Sequence, residues 1–170
     1  SQRSINHLIN SSSSYSKIAD LAADAPALIT FTGGSTDAMG SRGVIRTHGL
    51  LTAQHAALSR ALPNHFTDID LPAFPIATLH NLASGITSVI PDFPFRRPDA
   101  VQPEKILKQV NDHGITTASG SPAYWSAIAE HCLRHKRTLP LRRIVTGGAP
   151  VSPALMERLQ WAAPNAEIVN

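Results

Sequence analysis

The chain has 170 residues, of which 42% are hydrophobic and 16% are charged, and its formal net charge is +3. An ordinary apolar fraction with a low net charge excludes a disordered polymer, and the single cysteine, Cys132, excludes a disulfide scaffold. The longest stretch without Asp, Glu, Lys or Arg runs from Leu71 to Pro91, and its internal prolines and polar residues exclude a transmembrane helix.

The chain opens with polar sequence and then changes character. Residues 1–26 predict a polar lead-in without a signal peptide, so a soluble, cytoplasmic protein is expected, with its domain over residues 27–170. Ala27–Thr32 is a short apolar run that ends at glycines, which is typical of a buried strand. Thr47–Leu62 carries apolar residues at helical spacing, and Pro63 ends that helix.

Strand and helix patterns alternate over the rest of the chain. Further strands are predicted at Ile69–Phe74, Thr87–Ile90, Ile115–Ser119, Leu141–Thr146 and Glu167–Val169. Helices are predicted from near Leu79, over Pro103–His113 with Gly114 as C-cap, from Ser121-Pro122 to about Lys136, and from Ser152-Pro153 to near Ala163. This order predicts an α/β three-layer sandwich with a mostly parallel sheet and a ligand crevice at the carboxyl ends of its strands.

Basic residues are concentrated late in the chain. The cluster consists of Arg134, Lys136, Arg137, Arg142 and Arg143. Such a cluster can hold nucleic acid or a phosphorylated ligand. A solvated helix end that runs on to the edge of a strand is the favoured explanation, because no aromatic platform for nucleic acid accompanies the cluster. No nucleic-acid partner is therefore expected.

Residues 32–43 have the composition of a phosphate-binding turn between a strand and a helix. Gly33 and Gly34 permit close backbone approach, hydroxyl side chains add donors, and Arg42 adds a cation. Glycine- and serine-rich linkers have the same composition, so composition alone leaves both interpretations open.

The order of these residues is more specific. Phe31–Gly43, followed by Thr47-His48, resembles the phosphate loop of the acyl-adenylating (AMP-forming) synthetase and ligase superfamily. Leu71–Pro75 with Gly85 is similar to its acyl-pocket segment, and Gly147–Pro150 is similar to its adenine-contacting turn. Phe74-Pro75, residues 87–92 and Arg97-Pro98 most resemble the fatty-acyl-CoA synthetase branch, which includes olefin β-lactone synthetases.

The resemblance implies one subdomain of the large domain of an ATP-dependent ligase that uses Mg²⁺, a carboxylic acid of fatty type, and CoA or a similar acceptor. It implies that Thr32, Gly33, Gly34, Ser35, Thr36, Arg42 and Gly43 hold phosphates and that Gly147, Gly148, Ala149 and Pro150 line adenine. It also implies that Phe74, His80 and Gly120 face the acyl chain.

The sequence departs from the family pattern in two ways. Arg42 stands where the family has lysine, and Asp37 stands where it has glycine. The magnesium-binding glutamate and the catalytic lysine of the family would lie beyond Asn170, so no catalytic residue or metal ligand is expected here, and no turnover by this chain alone. The alternative is a non-catalytic or degenerate fragment that binds at most a ligand or a partner, or associates with itself through exposed surfaces.

Several residues also admit plain interpretations. His48, His55 and His80 are more often packed histidines than metal ligands. Aromatic side chains at a helix start, such as Tyr124-Trp125, usually belong to the core, and Phe74 is a core residue unless it contacts an acyl group. Cys132 is expected to be a buried thiol rather than a nucleophile paired with its neighbour His131. Residues 147–150 also fit an ordinary turn between a strand and a helix.

Overall fold

The computed structural model of the chain describes residues 18–31, 43–94, 97 and 100–170. They belong to two compact units, Ser1–Ala53 and Gln54–Asn170. The boundary falls inside the first described helix, α1 (His48–Ala61), whose bounds confirm the helix predicted from Thr47 to Leu62.

The first unit contains a two-stranded antiparallel sheet. Strand β1 (Pro26–Phe31) pairs with β2 (Gly43–Thr47), which the sequence pattern did not predict. The prediction of a buried strand at Ala27–Thr32 is wrong, because Phe31 is 68% exposed and Ile29 is 55% exposed. A continuous apolar run is typical of a strand covered on both faces, whereas β1 has an antiparallel partner and alternates in exposure.

The second unit is built on a five-stranded parallel sheet of order β4-β3-β5-β6-β7. Its strands are β3 (Ile69–Pro72), β4 (Thr87–Ser88), β5 (Thr117–Gly120), β6 (Arg143–Thr146) and β7 (Glu167–Val169). Its helices after α1 are α2 (Pro75–Ser84), α3 (Pro103–His113), α4 (Pro122–His135) and α5 (Pro153–Ala162). The predicted α/β layering with a mostly parallel sheet is confirmed.

One face of this sheet carries the apolar core. Leu71, Ala118 and Ile144 are buried on β3, β5 and β6 and belong to one cluster with residues of α3, α4 and α5. Tyr124 and Trp125 are almost completely buried in it, as expected, and Cys132 is a buried thiol there. Because side chains alternate along a strand, the preceding residue of each strand points to the opposite face, on which α2 lies.

Local signals at the helix ends agree with the structure except at α2. Ser121 and Ser152 cap α4 and α5, and Gly114 ends α3 in the left-handed conformation with φ +61°. Helix α2 begins at Pro75 rather than near Leu79. Proline suits the first turn of a helix because its missing N–H would have no partner there, so Pro75 was the overlooked signal.

Candidate functional site

The turn that follows β6 lies at the carboxyl end of the parallel sheet. It comprises residues 147–150, and Gly148 adopts φ +83°, a conformation that L side chains rarely adopt. The Ser152 hydroxyl then accepts a hydrogen bond from the Leu155 N–H at 3.2 Å, where α5 begins. The turn thus joins a parallel strand to a helix N-terminus, an arrangement that can receive an anionic ligand.

Phe74 connects this turn to the interior of the second unit. A Cβ atom added to Gly148 would lie 3.9 Å from Phe74 Cε1. Phe74 directly precedes α2, and its side chain also lines a cavity between that helix and the sheet. The turn and the cavity are therefore neighbours on either side of one aromatic ring.

The cavity has a volume of about 120 Å³, and its accessible wall is mostly carbon. Leu58 and Leu62 line it from the α1 side, and Ile76 and Ala77 line it from α2. The volume is slightly below that of a 150 Å³ apolar protein cavity known to bind benzene, so about five carbon atoms fit. A hydrocarbon group is the natural occupant of such a wall.

A polar row on the sheet lines the same cavity from the side opposite α2. Asp70, Thr117 and Arg143 are in register on β3, β5 and β6, and all are buried. The Thr117 hydroxyl donates to Asp70 Oδ1 at 2.6 Å, and Asn81 Nδ2 donates to Asp70 Oδ2 at 2.7 Å. Arg143 donates from Nη1 to the Pro63 carbonyl at 2.8 Å and from Nη2 to Asn64 Oδ1 at 2.6 Å.

Burial shifts the pKa values of the two ionisable groups in this row. Burial raises the pKa of Asp70, although hydrogen bonds from Thr117 and Asn81 and the charge of Arg143 oppose that rise. Burial likewise lowers the pKa of Arg143, and the charge of Arg142 lowers it further. The hydrogen bonds offset much of the desolvation cost of both groups, so the row is a fixed polar part of the cavity wall.

His80 lines the cavity on the α2 side and is paired with His55 of α1. Their Nδ1 atoms are 2.9 Å apart, and His80 is 7% exposed. Burial, the His55 ring and the positive charge of Arg143 lower the pKa of His80. His80 is therefore a packed, neutral histidine on the cavity wall, consistent with both the packing role and the acyl-facing role predicted for it.

The predicted site residues fall into three groups. Phe74 and His80 line the cavity, and residues 147–150 form the neighbouring turn. Gly120 ends β5 but does not line the cavity, because the ring of Tyr124 occupies the position of its missing side chain. Gly43 begins β2 in the first unit, and the remaining phosphate-loop residues lie outside the described residues, namely Thr32, Gly33, Gly34, Ser35, Thr36 and Arg42.

The basic cluster does not form one solvated patch. Arg134 pairs with Glu130 at the end of α4, as expected for a helix end. Arg142 pairs with Asp68 at 2.5 Å, and Arg143 is 3% exposed. The expectation of a solvated strand edge is therefore wrong for Arg143, which stabilises the sheet from inside.

Sequence reasoning missed the polar row and the pairing of His55 with His80. The available signal was the alternation within the strands, where a polar residue precedes each buried apolar one at Asp70-Leu71, Thr117-Ala118 and Arg143-Ile144. That alternation marks a sheet with one polar face.

Two further findings concern metals and membranes. Within the described ranges, no three His, Cys, Asp or Glu side chains come together to hold a metal ion. None of the helices that the structure describes is both long and apolar enough to cross a bilayer.

The sequence matches the profile of the AMP-binding enzyme family over residues 3–170. It is 36% identical over 150 residues to an olefin beta-lactone synthetase of Xanthomonas campestris pv. campestris, covering 88% of this chain and 26% of that protein. It is 34% identical over 139 residues to the olefin beta-lactone synthetase of Stenotrophomonas maltophilia, covering 81% of this chain and 24% of that protein. The chain thus spans about a quarter of the length of these curated relatives.

Solved structures share the fold. The inhibitor-bound N-terminal domain of FACL13 from Mycobacterium tuberculosis superposes with a TM-score of 0.74 at 20% identity, covering 94% of this chain and 39% of that one. O-succinylbenzoate Coenzyme A synthetase from Bacillus subtilis, in complex with AMP, gives a TM-score of 0.65 at 23% identity, covering 83% of this chain and 28% of that one.

Proposed function

The chain belongs to the AMP-binding enzyme family, and from that premise we propose that it forms the acyl- and adenine-binding part of an ATP-dependent acyl-adenylating ligase. In the proposed reaction, a carboxylate oxygen of the acid attacks the α-phosphorus of ATP, and the bond to the bridging oxygen of pyrophosphate breaks. CoA or a similar nucleophile then attacks the acyl carbon of the adenylate, the bond from that carbon to the phosphate oxygen breaks, and AMP leaves. The sequence identity of 36% and 34% to two olefin beta-lactone synthetases supports the proposal that the longer enzyme belongs to the olefin β-lactone synthetase branch of the family.

The observation that carries the proposal is the position of Phe74 between the Gly148 turn and the apolar cavity. An acyl-adenylate has a polar nucleotide joined to a hydrocarbon, and the two surfaces that would receive them meet at Phe74, beyond the carboxyl end of β3. We assign adenine contact to Gly147, Gly148, Ala149 and Pro150, and hydrocarbon contact to Phe74 and His80. Phosphate contact by residues 32–36, 42 and 43 stays a prediction from the family resemblance.

The contribution of this part is positioning rather than proton transfer. Holding the carboxylate and the nucleotide in fixed relative positions lowers the entropic part of the barrier, and a cavity that excludes water strengthens charge interactions at the reacting atoms. We expect these 170 residues to bind without turnover, because the family's catalytic lysine and magnesium-binding glutamate are not among them. Pyrophosphate release from ATP and a fatty acid by this chain would contradict that expectation.

Calorimetric titration tests the proposal with AMP, ATP and a non-hydrolysable acyl-sulfamoyl adenosine. We expect the acyl-sulfamoyl adenosine to bind more tightly than AMP, and Gly148→Trp to weaken that binding at least tenfold. Gly114→Trp is the matched control, because Gly114 also has a positive φ of +61° but lies at the end of α3. Absence of heat from all three compounds would favour a non-catalytic fragment without a nucleotide site.

A further inference from the structure

A second cavity adjoins the first within the second unit. Its volume is about 320 Å³, and it extends along Ser59, Phe66 and Ile86. Both cavities are lined by Leu62, Asn64 and His80. Residues that line both of two adjoining cavities lie between them. We term Leu62, Asn64 and His80 the partition.

The outer cavity leads to the protein surface. Phe66, on its wall, is 94% exposed, whereas His80, in the partition, is 7% exposed. The two cavities therefore lie in sequence, from the Phe74 side through the partition to the surface at Phe66. Only the inner one adjoins the Gly148 turn through Phe74.

Hydrogen bonds fix the partition in place. His80 Nδ1 lies 2.9 Å from His55 Nδ1, and the Ser84 hydroxyl donates to the His80 carbonyl at 2.9 Å. The neighbouring Asn81 is tied to Asp70 on β3, which fixes α2 against the sheet at this point. Moving the His80 ring aside breaks its hydrogen bond to His55, which costs free energy because both nitrogens are partly or fully buried.

Asn64 is fixed independently. Its side-chain oxygen accepts the bond from Arg143 Nη2 at 2.6 Å, so the partition is anchored both to the polar row and to α1. A partition held from two sides ends the inner cavity at a defined depth.

We propose that His80, positioned by His55, is the specificity-determining residue that limits the length of the bound acyl group to what the inner cavity holds. This inference rests on the proposed function. It assigns to the site, as its substrate class, acids whose hydrocarbon part reaches about five carbons past Phe74. A longer chain has to pass through the partition into the outer cavity.

The test is a calorimetric series of saturated acyl-sulfamoyl adenosines whose acyl groups run from four to sixteen carbons in steps of two. Each methylene buried in an apolar cavity raises affinity about fourfold. With the original chain, we expect affinity to rise and then to stop rising at one length. With His80→Ala or Leu62→Ala, we expect that limit to move by about four carbons or more, because the two cavities join.

Two further variants separate the role of His80 from a general loosening of the fold. His55→Ala keeps the His80 ring but removes its partner, so we expect a smaller shift of the length limit in the same direction. Leu82→Ala is the control, since Leu82 lies on α2, is 70% exposed and lines neither cavity; its limit should equal that of the original chain. Thermal melts confirm that each variant is folded, and Leu62→Ala decides the matter if His80→Ala does not fold.

The outcomes distinguish the two proposals. A length limit that is the same in all variants overturns the partition and leaves the proposed function intact. Absence of binding at every length, in every folded variant, overturns the proposed function and the partition with it. A limit that moves equally in Leu82→Ala also overturns the partition, because that residue lies outside both cavities.

Discussion

His55 and His80 share a single proton between Nδ1 atoms that lie 2.9 Å apart, one ring donating and the other accepting. His80 Nε2 is buried and has no hydrogen-bond partner among the described residues. A buried N–H without a partner is rarer than a buried lone pair without one, which favours His80 as the Nδ1 donor with an unprotonated Nε2. His55, which is half-buried, then accepts at Nδ1 and carries its single ring proton on Nε2.

This arrangement predicts that the folded chain loses stability in mild acid. Burial, the neighbouring His55 ring and the charge of Arg143 lower the folded-state pKa of His80 below its ordinary value of 6.5, so the unfolded chain binds the proton more readily. The stabilisation is therefore fully present above pH 6.5 and is lost as the pH falls through the folded-state pKa. Urea unfolding between pH 7.5 and 5 measures how the free energy of unfolding changes with pH. His80→Phe should reduce the slope of that free energy against pH. An unchanged slope in that variant would mean that other groups cause the pH dependence.

At Gly120, adding a single methyl group is expected to cause a large loss of packing stability. A Cβ atom at this position would lie 2.3 Å from Tyr124 Cδ1, and Tyr124 is completely buried against Trp125 and Phe93. Gly120→Ala therefore forces the ring to move, at a cost of about 1–3 kcal/mol in the free energy of unfolding.

Gly147→Ala is the matched control for that substitution. An added Cβ at Gly147 would meet no described atom within 4 Å, and its φ lies outside the left-handed region. Equal loss of stability in the two variants, measured by urea unfolding, would show that the cost arises from the backbone rather than from Tyr124.

Sequence patterns predicted the parts of this fold that depend on neighbouring residues. The serine caps of α4 and α5 and the glycine end of α3 follow from local hydrogen bonding, which a short segment determines. The parallel layering followed from the alternation of elements. The exposure of β1 was mispredicted because the burial of a strand depends on the elements that pack against it, and the residues of the strand do not determine those elements.

The cavity and the polar row needed the structure itself. Asp70, Thr117 and Arg143 are far apart in sequence and become neighbours only through the register of β3, β5 and β6. His55 was weighed as a metal ligand or a packed residue, and only the position of α1 against α2 brings it to His80. The family resemblance placed Phe74 and His80 near an acyl group, but it did not place a second cavity behind His80.

Ionised Asp68 is expected to make a second acid-sensitive contribution to the free energy of unfolding, which is lost at lower pH than that of His80. Burial acts to raise its pKa, but the hydrogen bonds from Arg142, the His65 N–H and Thr116, and the Arg142 charge, lower it below 3.8 overall. Its stabilisation is present above that value and is lost as the pH falls through the lowered pKa. Asp68→Asn is expected to cost about 1–3 kcal/mol at pH 7, because Arg142 loses its charged partner.

Asp112→Asn provides the comparison for Asp68. Asp112 pairs with Lys108 one turn away on α3, and both side chains are about half exposed or more. An exposed pair of this kind contributes about 0.5 kcal/mol or less. Stability losses of equal size in Asp68→Asn and Asp112→Asn, measured by urea unfolding at pH 7, would contradict the special role of the Asp68 network.

Removing a serine N-cap is expected to lower the free energy of unfolding, and adding one at a matched position is expected to raise it. The Ser121 hydroxyl accepts the Tyr124 N–H at 3.3 Å, and the Ser152 hydroxyl accepts the Leu155 N–H at 3.2 Å. Ser121→Ala and Ser152→Ala should each cost about 1 kcal/mol, because an N–H of the first turn loses its partner. At the start of α3, Gln102 has the same extended conformation but makes no side-chain capping bond.

Gln102→Ser is therefore expected to raise the free energy of unfolding by about 0.5–1 kcal/mol. Helix α3 already has proline at its first position and Glu104 in its first turn, so the side-chain cap is the feature it lacks. Urea unfolding of the three variants under one condition compares them directly. A loss of stability in Gln102→Ser would indicate that the Gln102 side chain makes a packing contribution larger than a serine cap provides.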